Sequence, residues 1–306
     1  MTAMAPPGTT RVSLVLTAAI AAVSLSAIFI RLADAPGVVV ALLRMVFASL
    51  VMAPVTLRGL RRTPLRGRAL GLTVVAGALL GVHFATWITS LSMTSVAASV
   101  TLVTTAPLWV ALFAWLFSGK APSFSVLIGV VLAVGGAAII GFGDLGGGTA
   151  PLIGDGLALL GAASAAGYLL LGRSVQRSGV GLDAYAGTAY ATAAVVLAPL
   201  PVLFGFPYLG YSTGTFGWIL LLALVPQLIG HNGINYAMRH VDPTLVATVI
   251  LLEPVGATLL AFLIFGEVPS SLTLVGALVL LFGVVFTVRS TESPAPGAAP
   301  PEVPGD

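Results

Sequence analysis

The chain has 306 residues, of which 58% are hydrophobic and 8% charged, against roughly 45–50% apolar and 25% charged in an ordinary soluble domain. Mean hydropathy is +1.09, the formal net charge is +3 and the pI is about 9.6. Thirteen basic and ten acidic side chains cannot shield so much apolar surface from water, which excludes a soluble enzyme and a nucleic-acid-binding domain, and the absence of cysteine excludes a disulfide framework or thiolate zinc site.

The first twelve residues form a short polar lead-in. From there the chain carries ten apolar runs, at about 13–33, 37–57, 69–90, 96–117, 123–142, 155–172, 184–204, 216–237, 244–265 and 270–288. Each meets the requirement of roughly 20 mostly apolar residues for a membrane helix. The runs lack the in–out alternation of barrel strands, so helices are expected. Ala33-Asp34-Ala35 mimics a signal-peptidase site, but the first run is too long for a typical signal core and is read as a true span. Residues 143–154 link two halves, 13–142 and 155–289. The tail 290–306 carries Pro294, Pro296, Pro300, Pro301 and Pro304 and is expected to be disordered.

Basic residues orient the spans. With the N-terminus in the cytoplasm, eleven of the thirteen fall on the cytoplasmic side, Arg31 and Arg44 being the exceptions. Asp34, Asp144, Asp155 and Glu267 fall outside. Both termini are then cytoplasmic, in the inner membrane of a cell. The arginine cluster at 58–68 is read as a topology signal rather than a nucleic-acid or anionic-lipid patch.

The chain resembles itself at an offset of 147. Pro107 matches Pro254, Gly119 matches Gly266, Pro122-Ser123 matches Pro269-Ser270, Gly129 matches Gly276 and Gly136 matches Gly283. Each half holds five spans. Five is odd, so the second half would enter the membrane inverted, as in many secondary transporters. Lys120 and Glu267 occupy equivalent turns on opposite sides. The expected fold is an all-α membrane protein of ten transmembrane helices in two inverted five-helix repeats.

Leu252-Glu253-Pro254-Val255, Leu263-Ile264-Phe265-Gly266-Glu267, Gly276 and Gly283, with a weaker first copy at Ala106-Pro107-Leu108, Ser118-Gly119-Lys120, Gly129 and Gly136, resemble the drug/metabolite transporter superfamily, EamA type. The resemblance covers about residues 13–289. It implies export or exchange of small metabolites, amino acids or drug-like solutes among them, through a central cavity and without ATP. Lys120 departs from the family pattern, which has Glu in the first copy as well.

Polar groups at membrane depth mark the candidate site. Glu253 lies some nine residues, or about 14 Å, into its span, near the midplane. Pro254 and Pro107 lack an N–H and should kink paired spans, freeing the carbonyls of Ile250 and Val103. Gln227, His231, Asn235 and Arg239 recur every fourth residue on the eighth span, with Asn232 and Tyr236 beside them. One α-helical face would therefore be polar and look into a wet cavity. On the third span His83, Thr86, Trp87 and Ser90 share a face, and on the fourth Thr101, Thr105 and Trp109 do. Threonine hydroxyls also bond back to their own helix. Histidine could carry a coupling proton or simply join helices. Trp87 could stack on a solute or anchor at the interface. Arg44 could snorkel outward, pair with an acid such as Asp34, or reach the cavity and hold a carboxylate.

The candidate cavity is therefore Glu253, His231, Asn232, Asn235, Gln227, His83, Trp87, Thr101 and Thr105, with Pro107 and Pro254 as hinges. Gly141-Phe142-Gly143-Asp144-Leu145-Gly146 fits two glycine-rich fingerprints as a string. It follows a span rather than opening a helix in a βαβ unit, and it has no second membrane Asp for aspartyl-protease chemistry. Neither catalytic residues, metal ligands nor a cofactor are expected. The partners expected are a small-molecule substrate, protons as a coupling ion and membrane lipid, with a homodimer left open. A passive channel, a scramblase or a membrane enzyme without a visible catalytic motif are the alternatives.

Overall fold

The computed structural model describes residues 9–118, 123–143, 148–237 and 249–292. Most of these residues are helical, and no strand occurs among them. The helices are α1 (Thr9–Ser24), α2 (Ser26–Ala33), α3 (Gly37–Arg62), α4 (Gly67–Ser90), α5 (Val96–Val103), α6 (Ala106–Ser118) and α7 (Phe124–Gly143). They continue with α8 (Pro151–Arg177), α9 (Leu182–Leu197), α10 (Leu200–Leu203), α11 (Thr213–Leu222), α12 (Asn232–Ala237), α13 (Leu252–Phe265) and α14 (Ser271–Glu292). Six helical stretches are long and apolar enough to cross a membrane, and four shorter apolar ones lie at 96–110, 124–140, 252–265 and 271–287. Together they occupy the ten predicted positions. Lys120, Asp144, Arg239 and the proline-rich tail from 293 onward lie outside the described residues.

Local chemistry sets the helix ends. Ser95, Ser212 and Ser270 cap α5, α11 and α14, accepting from the backbone N–H of Ala98, Thr215 and Thr273 at 3.0–3.1 Å. Pro151 opens α8, and Gly266 closes α13 in the left-handed conformation at φ 66°. Asp34 takes the same conformation after α2, at φ 46°.

α4 packs on α8 and α9, α3 on α9, and α2 on α11. Their apolar faces form the main core around Ile28, Met45, Phe84, Tyr185 and Tyr190. α7 and α14 pair antiparallel. A Cβ on Gly129 would stand 2.8 Å from the Gly283 carbonyl, and one on Gly276 would stand 2.8 Å from the Gly136 carbonyl. The contacts are reciprocal: a Cβ on Gly283 or Gly136 would stand 2.7 Å from the carbonyl of Gly129 or Gly276. Only glycine permits backbones this close. The opposite faces of these helices expose Val131, Val134, Leu278 and Phe282. Such apolar surface is expected of a helix facing lipid.

Five predicted spans are interrupted, the seventh at Ala198-Pro199 between α9 and α10. The first breaks at Leu25, between α1 and α2. The fourth breaks at Thr104-Thr105 and the ninth at Leu251, two positions related by the 147-residue offset. The prolines act differently from the predicted mid-helix kinks. Pro107 and Pro254 sit in the first turn of the restarted helices α6 and α13, where the missing N–H would have had no intrahelical partner anyway. The eighth span widens into π turns over Ala223–His231, around Pro226. The interrupted spans meet: α1 touches the π stretch, α12 and α13, and α5 touches α13.

Candidate functional site

The deepest polar group is Arg44, the eighth residue of α3 and fully buried. Its Nε and Nη2 donate to Gln227 Oε1 at 3.0 and 2.7 Å. The guanidinium lies 4.0 Å from the centre of the Phe84 ring on α4. Its Nη1 meets no acceptor among the described residues. Hydrogen bonds to a charged group contribute about 1.5–3 kcal/mol each, and a desolvated cation–π contact about 2 kcal/mol. These offset much of the several kcal/mol that burial of an ion costs. They do not neutralise it. Among the described residues no carboxylate lies within ion-pair distance of Arg44. Snorkelling and pairing with Asp34 are thus overturned. Asp34 is exposed at a helix end, whereas Arg44 is fully buried and bonded to Gln227.

Some of the predicted residues lie at this cation or at the Phe84 ring under it. Gln227 is buried as the acceptor for Arg44. Asn232 Oδ1 accepts from the Tyr190 hydroxyl at 2.9 Å. His231 meets Phe84 edge-on at 5.9 Å. His231, Asn232, Asn235 and Glu253 are half-buried. Of the polar stripe predicted for the eighth span, Arg239 lies outside the described residues, and Gln227 and His231 lie within the π turns. A π turn advances more residues than an α turn, and here Gln227 meets Arg44 while His231 meets the Phe84 ring under it.

His83 and Trp87 stack on each other at 5.8 Å, both buried. His83 Nδ1 donates to the Gly161 carbonyl at 2.9 Å, joining α4 to α8. Trp87 is therefore no interface anchor. Thr105 and Thr101 are buried without a contact to the Arg44 cluster among the described residues, and the Thr105 hydroxyl bonds back to Leu102 at 2.7 Å. The Thr105 hydroxyl is thereby engaged by its own helix.

A second polar site closes one end of the bundle. Arg31 on α2 pairs with Glu267 after α13 at 2.6 Å. It also donates to the carbonyls of Leu91 and Thr94 at 3.2 and 3.0 Å, while Glu267 accepts from Val96 N–H at 2.7 Å. The same end holds a cleft of about 540 Å³ lined by Arg31, Asp34, Ser92, Thr94 and Thr149.

The family model described as the EamA-like transporter family matches this chain twice, over residues 10–142 and 152–289. The chain belongs to that family. A relative named "Uncharacterized transporter YdfC", from Bacillus subtilis (strain 168), is 28% identical over 192 residues, 61% of this chain. That match spans 60% of the relative's own length. A "Probable terminal-alkyne amino-acid exporter" from Streptantibioticus cattleyicolor is 28% identical over 205 residues, 64% of this chain and 67% of the relative. A crystal structure 22% identical to the chain superposes with a TM-score of 0.62 over 94% of this chain and all of the other, a likeness of fold. This EamA-like chain is accordingly a multi-pass membrane protein of a transporter family.

Several residues of the EamA-like site escape sequence reading. Tyr168, Tyr185 and Tyr190 look like ordinary span residues, yet the Tyr185 hydroxyl donates to the Tyr168 carbonyl at 3.2 Å and Tyr190 holds Asn232. Phe84 is visible only as an apolar residue. Pro226, inside a span, was the available signal for the π turns. Arg31 and Arg44, the two basic residues off the cytoplasmic side, were the signal for both polar sites.

Proposed function

We propose that the chain is a secondary transporter that exports a small organic solute of the amino-acid or drug-like class by alternating access. Its halves, 13–142 and 155–289, act as inverted five-helix repeats around the Arg44–Gln227–Glu253 cluster. The observation that carries this is the meeting of interrupted spans at a buried polar cluster, the arrangement in which transporters place their substrate sites. The twofold family match and the reciprocal glycine contacts of α7 and α14 support the repeat. The exporter named among the relatives supports the solute class. With both termini in the cytoplasm of the inner membrane, the Arg31–Glu267 clamp is the outer gate, closed in this conformation. Glu253 and His231 are the proton-carrying groups. His83 serves α4–α8 packing, since its Nδ1 hydrogen is engaged by a carbonyl.

Proteoliposomes test this. A panel of labelled amino acids and cationic drugs should show at least one saturable flux with counterflow. Glu253→Gln and His231→Ala should each slow it by about 10-fold or more, as loss of a charge-assisted contact implies. No movement above empty vesicles for any solute overturns the reading, and flux without saturation or counterflow favours a passive channel.

A further inference from the structure

Arg44 is more than helix association requires. A neutral side chain could hold α3 to the π stretch through Gln227, whereas a guanidinium adds a buried charge and an unused donor. Among the described residues the only ion pair is Arg31–Glu267, so no carboxylate touches Arg44. Trp87 adds a second buried donor without an acceptor, its indole Nε1–H. The Trp87 ring centre is 6.5 Å from that of Phe84, the ring under the guanidinium. Two orphan donors flank one aromatic ring, and the site is rich in N–H groups and short of an acceptor. Buried polar atoms in folded proteins are paired in the great majority of cases. What this site lacks is an anion.

We propose that Arg44 is the anchor for the carboxylate of the transported solute, which is a small carboxylic acid or α-amino acid with an apolar side chain. The carboxylate would meet the guanidinium end-on, accepting from Nη1 and from the second hydrogen of Nη2, a planar two-bond match that arginine favours. Gln227 keeps its place. The apolar part of the solute rests on Phe84 and Trp87, and an α-ammonium group faces the field of Glu253. The site is sealed here, so loading requires the bundle to open, and this assignment rests on the transport reading above.

The test is ligand-dependent thermal unfolding of the purified full-length protein in detergent. The probes are L-leucine, 4-methylpentanoate, L-leucinamide and 3-methylbutylamine. The two carboxylates should raise the unfolding temperature by about 2–4 °C at saturation, and the amide and amine should not. Arg44→Gln should abolish the shift. Gln227→Glu supplies an internal carboxylate, so it should raise the unfolding temperature of the free protein and abolish the same shift. A response to L-leucinamide equal to that to L-leucine, a carboxylate shift that survives in both variants, or no shift with any probe would overturn the assignment. Labelled-leucine flux in proteoliposomes separates it from the broader reading. Carboxylate-selective binding without flux supports the anchor and sinks transport. Equal flux of amide and acid supports transport and sinks the anchor.

Discussion

A guanidinium held by one amide and one aromatic ring sets the energetics of this site. Gln227 supplies the only acceptor for two of its N–H bonds. Gln227→Leu would leave those donors as bare as Nη1 in a buried setting. The expected loss is about 3–5 kcal/mol, the range for removing one partner of a buried charge, read as a lower unfolding temperature of the purified protein. Arg44→Met together with Gln227→Leu should recover most of it, because an apolar pair of similar shape carries no desolvation penalty. An additive double variant would show that Gln227 matters for some reason other than Arg44.

At the scale of elements, the helices fall into two kinds. α7 and α14 are a rigid antiparallel pair, packed backbone to backbone at Gly129, Gly136, Gly276 and Gly283. Gly283→Ala would place a methyl 2.6 Å from the Ala133 nitrogen, so the helices must separate. The expected cost is about 1–3 kcal/mol, as for overpacking. Gly135→Ala has nothing within 4 Å and should be neutral or stabilise by up to about 1 kcal/mol through helix propensity. Equal unfolding temperatures for the two variants would contradict the close approach. The other kind comprises the interrupted spans around Leu25, Thr104, Ala198, Pro226 and Leu251, whose backbones lack continuous α hydrogen bonding and so can rearrange with less loss. Proline in the first turn of a restarted helix was readable as a helix disturbance. Its exact consequence, a break one turn earlier, was not, because helix phase depends on what the neighbouring helix can pack against.

For the whole molecule, the Arg31–Glu267 clamp ties α2, the α4–α5 connection and the α13–α14 turn together. Glu267→Gln removes the charge but keeps the shape. The pair is partly exposed, at 28% and 19%, so the loss is about 1 kcal/mol after screening, or about a 5-fold shift toward an open end. The chain contains no cysteine, which makes a single Ser99→Cys reporter clean. Ser99 is buried and bonds Ser90 at 2.6 Å close below the clamp. In Glu267→Gln an impermeant maleimide should label it faster from that face. An unchanged rate would mean the clamp does not gate.

The sequence by itself determined the class of molecule: apolar runs of bilayer length leave no other way to satisfy the backbone. It also determined the ten helical positions and, from motifs at residues 106–108 and 252–267, the family. Glu253, His231, Asn232 and Asn235 could be named as candidates because a polar side chain at depth needs a reason. Only the tertiary structure decided which of them gather, since hydrophobic periodicity shows that a face is buried and not what covers it. It assigned His83 to the Gly161 carbonyl and the Thr105 hydroxyl to its own helix. It brought Tyr190 to Asn232 and Gln227 to Arg44, pairs 42 and 183 residues apart in the chain. Contacts of that separation depend on how helices cross, and no local pattern in the chain encodes the crossing.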